Sequence, residues 1–179
     1  MTSFEHFPIP LLGFAAFSGT GKTTLITQLL PRLTKRGLRI GMVKHSHHDI
    51  EMDNPKKDSY KLRKAGACQM VLASPHRTII FSEQDEPEEP KLMTQLNWLN
   101  TDELDLVLVE GFRHEAFTKI ELHRPSLGKP ILANEDKHII AIATDAAIDK
   151  TDLLTRELTY LELNDINAIT DFIVHYSQL

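Results

Sequence analysis

Cysteine is nearly missing from these 179 residues: Cys68 stands alone, so no intrachain disulfide can form and a reducing compartment is the expected setting. Long hydrophobic runs are missing as well. Stretches such as Leu11 to Phe17 and Leu106 to Val109 fall far short of the ~20 residues needed to span a bilayer. Positive charge is in deficit, with 20 Lys+Arg against 25 Asp+Glu and a net charge of −5, which argues against a broad nucleic-acid-binding surface. Met1 to His6 carries an acid and no basic segment, so no secretory signal is expected. These shortages exclude disulfide scaffolds and membrane spans. What is present is ordinary for a globular chain: 41% hydrophobic and 25% charged residues, and a length that buries a proper core. The expectation is one cytoplasmic domain over 1–179, with 1–8 as an N-terminal tail and neither membrane nor nucleic acid as partner.

Short apolar runs alternate with helical patterns, the order of an α/β fold with a mostly parallel sheet and helices on both faces. Leu11 to Ala16 is apolar throughout, as a strand covered on both faces would be. From about Gly21 to Arg36, Leu25, Ile26, Leu29, Leu30 and Leu33 recur at helical spacing, and Gly37 sits where a left-handed cap is expected. Leu38–Val43, Cys68–Ala73, Thr78–Phe81, Leu104–Val109 and His138–Ala143 read as strands, with Cys68 as a buried strand residue. Lys119 to Leu122 alternates like a strand that is half exposed. Asp58 to Ala65, Lys91 to Leu99 and Asp165 to Tyr176 read as helices. Ser82 to Pro90 is acidic and proline-broken, the composition of a solvated loop.

The strongest motif is Ala16–Phe17–Ser18–Gly19–Thr20–Gly21–Lys22–Thr23. It follows the phosphate-loop pattern G-x-x-x-x-G-K-[ST], with Ala16 in place of the first glycine. Its setting is right, an apolar strand before and an amphipathic helix after. Gly19 and Gly21 let the backbone curl so that successive N–H groups face one anion, aided by the positive end of the helix. Lys22 then reaches the terminal phosphates, and the Thr23 hydroxyl ligates Mg²⁺.

Such a loop needs an acid on a neighbouring strand. In open parallel sheets ligands lie beyond the carboxyl ends of the strands. In Leu104–Asp105–Leu106–Val107–Leu108–Val109–Glu110–Gly111, Glu110 ends the strand and Asp105 begins it, so Glu110 is the expected metal-side acid. Thr144–Asp145 follows another strand. An aspartate there can accept from guanine N1–H and N2–H₂, or be a plain strand-end carboxylate, since the full Asn-Lys-x-Asp string of many GTPases is lacking.

After the second strand stands Val43–Lys44–His45–Ser46–His47–His48–Asp49, followed by Asp53 and by Lys57–Asp58–Ser59–Tyr60. Three histidines and two aspartates within nine positions can bind a transition metal, hold an anionic substrate, contact a partner, or stand solvated.

These segments together resemble one family. Phe14 to Thr24, Val43 to Asp49, Lys57–Asp58–Ser59–Tyr60 with Arg63–Lys64–Ala65–Gly66–Ala67, and Val109–Glu110–Gly111–Phe112 resemble the molybdopterin-guanine dinucleotide biosynthesis adapter family, MobB. The matching segments run in order from about residue 11 to about residue 145. The phosphate loop alone names a superfamily, whereas the Val-Lys-His-x-His-His block with Lys-Asp-Ser and Glu-Gly-Phe is far more specific. One departure is visible: Lys56 stands, after Pro55, where the family tends to have Gly.

The resemblance implies a three-layer P-loop NTPase-type fold, GTP with Mg²⁺ as ligands, feeble GTPase activity and a homodimer. It also implies a role beside the MobA-type molybdenum cofactor guanylyltransferase, which joins GMP to molybdopterin, with molybdopterin itself as a possible partner. Carried over, Ser18, Gly19, Thr20, Gly21, Lys22, Thr23 and Thr24 hold the phosphates, and Thr23 and Glu110 hold the metal. Lys22 and Glu110 serve any hydrolysis, and Thr144 and Asp145 lie near the base. Lys44, His45, Asp49, Asp53 and Asp58 line the face shared with substrate or partner. Two other readings share the same loop: a small-molecule kinase with Lys44, His45 and Asp49 around an acceptor hydroxyl, and a metallochaperone GTPase using His45, His47 and His48.

Overall fold

A computed structural model describes residues 4–46, 50–86, 88–147 and 157–178. Contacts divide the chain into two compact units, Met1–His45 with Lys91–Leu179 and, separately, Ser46–Pro90, where the sequence reading expects one domain. Among the described residues the strands of the second unit pair with each other, and the acidic, proline-broken segment Ser82–Pro90 closes it.

The first unit carries β1 (Leu11–Ala15), α1 (Lys22–Lys35) and β2 (Ile40–Lys44) before the second unit begins. The second unit holds α2 (Asp58–Lys64) and an antiparallel hairpin of β3 (Gln69–Ser74) and β4 (Arg77–Ser82). The first unit resumes with α3 (Leu92–Leu96), β5 (Leu106–Glu110), β6 (Lys119–His123), β7 (Ile139–Thr144), β8 (Thr159–Glu162) and α4 (Ile166–Ser177). Its sheet runs β2-β5-β1-β6-β7-β8, all parallel. No helix among the described residues is long and apolar enough to cross a membrane.

Alternation along the central strands splits the core in two. Leu12 and Phe14 of β1, with Leu106 and Leu108 of β5, face α1 and α4, whose Leu25, Leu29, Leu33, Ile169 and Ile173 are buried against them. Leu11, Val107 and Val109 face the other way, onto Leu92 and Leu96 of α3. Helices therefore cover both faces, as the apolar runs predict. A fully buried Leu or Phe contributes about 1.5–3 kcal/mol, so this double layer dominates the stability of the unit. The N-terminal tail is part of this packing: Phe4, Phe7 and Ile9 lie against the second cluster, with the Phe4 and Phe117 rings 5.6 Å apart.

Two expectations are corrected, and one strand was not read. The strand at Lys119–His123 is buried along its whole length, not half exposed, because it lies between β1 and β7 under covered faces. Its charges are satisfied from within. Lys119 Nζ donates to the Glu115 carbonyl and to Asp136 Oδ2, each at 2.7 Å. Glu121 accepts from the backbone N–H groups of Leu132 and Ala133 at 2.8 and 2.7 Å. Cys68 is exposed and stands just outside β3, because the hairpin that follows it has little covering its faces. The edge strand β8, exposed and only four residues long, carries too short a pattern to read.

In the second unit one cation replaces an apolar core. The Arg63 guanidinium is buried, donates to Glu51 Oε1 at 2.7 Å and to Glu83, and lies 3.7 Å from Asp53 Oδ2 and over the Phe81 ring. Removing it strands three carboxylates on a short segment. Arg63→Met is expected to make 46–90 the first region cut in limited proteolysis, and an unchanged cleavage pattern would show that the guanidinium does not hold the segment.

His123, at the end of β6, is buried, with Glu121 Oε1 3.7 Å from its Nδ1. Burial holds the imidazole below its ordinary 6.5, while Asp145 pulls the other way. As pH falls below 6.5 the unfolded chain takes up the proton first, so stability declines from there until the native imidazole itself protonates. Urea midpoints measured between about pH 7.5 and about pH 5.5 are expected to fall more steeply in the native protein than in His123→Gln. Equal slopes would refute the assignment.

Candidate functional site: the phosphate loop and its neighbouring strand ends

The loop leaves β1 at Ala16 and returns into α1 at Lys22. Gly19 and Gly21 have φ of +83° and +99°, the left-handed region that Gly adopts without strain. Thr20 Oγ1 donates to the Phe17 carbonyl at 2.8 Å and closes the turn. No side chain caps α1 at Gly21, so its first-turn N–H groups stand at the loop as an anion-binding end. Ser18, Gly19, Thr23 and Thr24 are exposed around it. Lys22 Nζ folds back to 3.5 Å from the Ala16 carbonyl. Burial lowers the Lys22 pKa below 10.5; Glu110 opposes this, and Lys44 and Arg113 add to the lowering. An added anion would relieve that crowding of cations.

Register brings the acid to the loop. β1 pairs with β5 so that Phe14 lies opposite Glu110, and β2 pairs so that Lys44 lies opposite Glu110 on the other side. The Glu110 carboxylate is buried, with Oε2 accepting from Lys44 Nζ at 2.8 Å and Oε1 accepting from Thr23 Oγ1 at 3.5 Å. Asp105, at the far end of the same strand, pairs with Arg39. Thr23 and Glu110 thus present hard oxygen donors side by side, the ligand type that suits Mg²⁺. Among the described residues no group of three or more His, Cys, Asp or Glu side chains is arranged to hold a metal ion.

Behind Glu110 the chain turns through Gly111, at φ +95°, and Phe112, at φ +51°. The His45 N–H donates to the Glu110 carbonyl at 2.8 Å, and the His45 ring stacks on Phe112 with centroids 4.8 Å apart. A Cβ on Gly111 would meet His45 Cβ at 2.5 Å. The Glu-Gly-Phe sequence is therefore the packing that fixes Lys44 and His45 beside the acid.

On the other side of β1, Asp145 follows β7 and is held by Arg124, which follows β6. Arg124 Nη1 donates to Asp145 Oδ2, and Nε donates to the Thr20 carbonyl at 2.9 Å. Thr144 Oγ1 turns the chain locally, donating to the Ala146 carbonyl at 3.0 Å. Sequence reasoning passed over Arg124. The signal was the rule that singled out Glu110 and Asp145, since Arg124 also stands at the carboxyl end of a central parallel strand.

The remaining expected residues are placed differently. Asp53 accepts from Ser59 Oγ at 3.1 Å and faces Arg63, so it is engaged inside its own unit. Asp58 is exposed and pairs with Lys61 at 3.3 Å. Asp49, His47 and His48 lie outside the described residues. A cavity of about 590 Å³ lies beside the loop, lined in part by Ala15, Phe17, Arg113, Ile131 and Ile139. Arg113 and Lys129 both lie near the Phe17 ring, at 5.7 and 5.9 Å from its centroid.

A parallel sheet, a phosphate loop between strand and helix, and a carboxylate at the next strand end define a P-loop nucleotide-binding protein. Comparison with known proteins narrows the class. The family described as "Molybdopterin guanine dinucleotide synthesis protein B", MobB, matches residues 11–145. The "Molybdopterin-guanine dinucleotide biosynthesis adapter protein" of Escherichia coli (strain K12) is 46% identical over 171 residues, 95% of this chain and 94% of that protein. The protein of the same description from Haemophilus influenzae is 38% identical over 173 residues, 97% of this chain and 92% of that one. A crystal structure of molybdopterin-guanine biosynthesis protein B superposes with a TM-score of 0.72 at 27% identity, covering 94% of this chain and 99% of that one. The chain belongs to the MobB family.

Gly111→Ala is expected to lower stability by about 2–4 kcal/mol, from left-handed backbone strain plus overlap with His45. Chemical denaturation measures it. A loss under about 0.5 kcal/mol would mean that the turn relaxes freely.

Proposed function

We propose that this chain is a GTP-binding adapter that holds GTP with Mg²⁺ and assists a MobA-type guanylyltransferase in joining GMP to molybdopterin. The observation that carries the reading is the group of Lys22, Thr23, Glu110 and Lys44 at one point beside the loop. In the nucleotide complex the loop amides and Lys22 hold the phosphates. Thr23 and Glu110 hold the metal, which supplies charge neutralisation at the terminal phosphates. Lys44 orients the buried Glu110 carboxylate through its charge-assisted bond to Oε2. Asp145 reads the base as a double acceptor.

The reading gives bound nucleotide more weight than its turnover. An arginine acting on the transferring phosphate is worth about 10³–10⁵ in rate. The two arginines described at this loop are engaged elsewhere, Arg113 against Phe17 and His114, and Arg124 on Thr20 and Asp145. The cavity beside Phe17, with its aromatic wall and two nearby cations, suits a flat anionic molecule and is the place we assign to molybdopterin.

Calorimetric titration of GTP and of ATP with Mg²⁺, with phosphate release followed in the same samples, tests the reading. GTP preference with turnover far below the enzyme median of about 10 s⁻¹ is expected. Lys22→Ala is expected to weaken GTP binding at least ~10-fold, the scale of one charge-assisted contact. Unchanged affinity in that variant would sink the phosphate-loop assignment, and ATP preference would turn the reading toward a kinase.

Homodimerisation belongs to the same reading, and the hairpin of the second unit supports it. Cross-strand partners Val71 and Ile80 stand exposed on one face of the ribbon, at 65 and 48%, and Leu72 and Ile79 on the other, at 40 and 37%. A two-stranded ribbon is marginal in water by itself, and a second copy offers the same apolar surface across a two-fold axis. Light scattering after size exclusion is expected to give twice the chain mass, falling to one chain in Val71→Asp/Ile80→Asp. A monomeric native protein would refute this.

A further inference from the structure

The contacts of Arg124 tie two parts of the candidate site together. Its guanidinium makes two directed bonds, one from Nε to the Thr20 carbonyl at 2.9 Å and one from Nη1 to Asp145 Oδ2. It lies over the loop, since a Cβ on Gly21 would sit 3.8 Å from Nη2. Both partners are only partly exposed, the Arg124 side chain at 30% and the Asp145 side chain at 23%, so the pair is shielded on much of its surface.

We propose that Arg124 is a positioning residue that couples the base-reading carboxylate of Asp145 to the phosphate loop. The inference rests on the reading of Asp145 as the guanine acceptor. Each of its two bonds has a separate consequence. In a trans peptide the carbonyl of Thr20 and the N–H of Gly21 point in opposite directions. Holding the Thr20 carbonyl on the Arg124 side therefore turns the Gly21 N–H away from Arg124, as a loop that lines up its amides on an anion requires. The second bond fixes the plane of the Asp145 carboxylate. A carboxylate offers about four acceptor sites, so one bond to Arg124 leaves it able to accept from two base N–H groups. The planar fork of arginine suits this double duty, whereas a lysine ammonium is a point charge on a flexible stem.

The chain lacks an Asn-Lys-x-Asp string around Asp145, where Thr144 and Ala143 precede it instead. Arg124, from the neighbouring strand end, supplies the link between base reader and loop that no residue next to Asp145 supplies. Loss of Arg124 is then felt at both ends: it loosens a loop peptide and frees the carboxylate in one step.

The test is calorimetry with Mg²⁺ on the full chain, using GTP, ATP and inorganic tripolyphosphate as probes against the native protein, Asp145→Asn, Arg124→Ala and Arg124→Lys. Asp145→Asn is expected to abolish the GTP-over-ATP preference and to leave tripolyphosphate binding within twofold. Arg124→Ala is expected to lower the same preference at least tenfold and to weaken tripolyphosphate, which has no base, at least threefold. A general loss of fold would weaken all three probes together without changing the GTP-to-ATP ratio. Arg124→Lys keeps the charge, loses the fork, and is expected to show the same two losses at smaller size, which serves if the alanine variant does not fold. If Asp145→Asn loses the preference and neither Arg124 variant does, the coupling is overturned while the base reading stands. If Asp145→Asn retains the preference, the base reading fails and the coupling falls with it. Tripolyphosphate affinity untouched in both Arg124 variants would also overturn the coupling, since the loop end would then be independent.

Discussion

Parallel pairing of β1 between β5 and β6 is the constraint from which the site follows. Because all three strands run in one direction, their carboxyl ends arrive together, and the residues just past each end share one edge of the sheet. The phosphate loop leaves β1 there, Glu110 closes β5, and Arg124 follows β6. A shift of one residue in the β1–β5 register would turn Glu110 to the other face of its strand and away from Thr23. The apolar layers on both faces hold that register, so the core fixes the chemistry through the strand pairing and not through direct contact with it.

Charge inside the sheet is handled by matching and not by avoidance. Lys119 and Glu121 lie in a central strand at 1% and 0% exposure, each satisfied by backbone groups or by Asp136. Burying an ion is tolerable only with such partners, because an unpaired one costs several kcal/mol after relaxation. Glu121 does this by accepting the first N–H groups of the turn at 132–134, which covers β7 at Ile139 and Ile142. At the site the balance differs. Lys44 and Arg113 crowd Lys22 beside Glu110, and the burial that lowers the Lys22 pKa shows a cation held where solvent does not fully support it. That excess is the electrostatic complement of a phosphate chain.

Much of the architecture was legible from short apolar runs between helical patterns, because strands covered on both faces need no alternation and Leu11–Ala15 and Leu106–Glu110 show none. The carboxyl-end rule separated Glu110 from Asp105 correctly in space, since that rule depends only on strand direction. Local pattern failed at β6. Alternating Lys-Ile-Glu-Leu normally means one wet face, and only the tertiary partners Asp136 and the turn at 132–134 reverse that. The burial of Cys68 was misread for the converse reason. Val71, Leu72, Ile79 and Ile80 are strand formers whose apolar character predicts burial, yet all four stand exposed. Arg124 carried only its strand-end position as a signal, because its contacts are to a loop carbonyl and to a carboxylate after the next strand, and neither is near it in sequence.

The second unit shows why a family block such as Val-Lys-His-x-His-His does not by itself place a site. Lys44 and His45 sit at the acid because Gly111 has no Cβ: a side chain there would overlap His45 at 2.5 Å. Their position is therefore enforced by close approach of two turns in the first unit. Asp53, a few residues on, is enforced by Arg63 within the second. His45 and Asp53, which look like parts of one constellation in sequence, thus answer to different local cores. The residues tied to the sheet edge, Lys44 and His45, inherit its geometry and with it the nucleotide chemistry. Those tied to Arg63 share a unit with the exposed apolar hairpin, the surface proposed for pairing two copies of the chain.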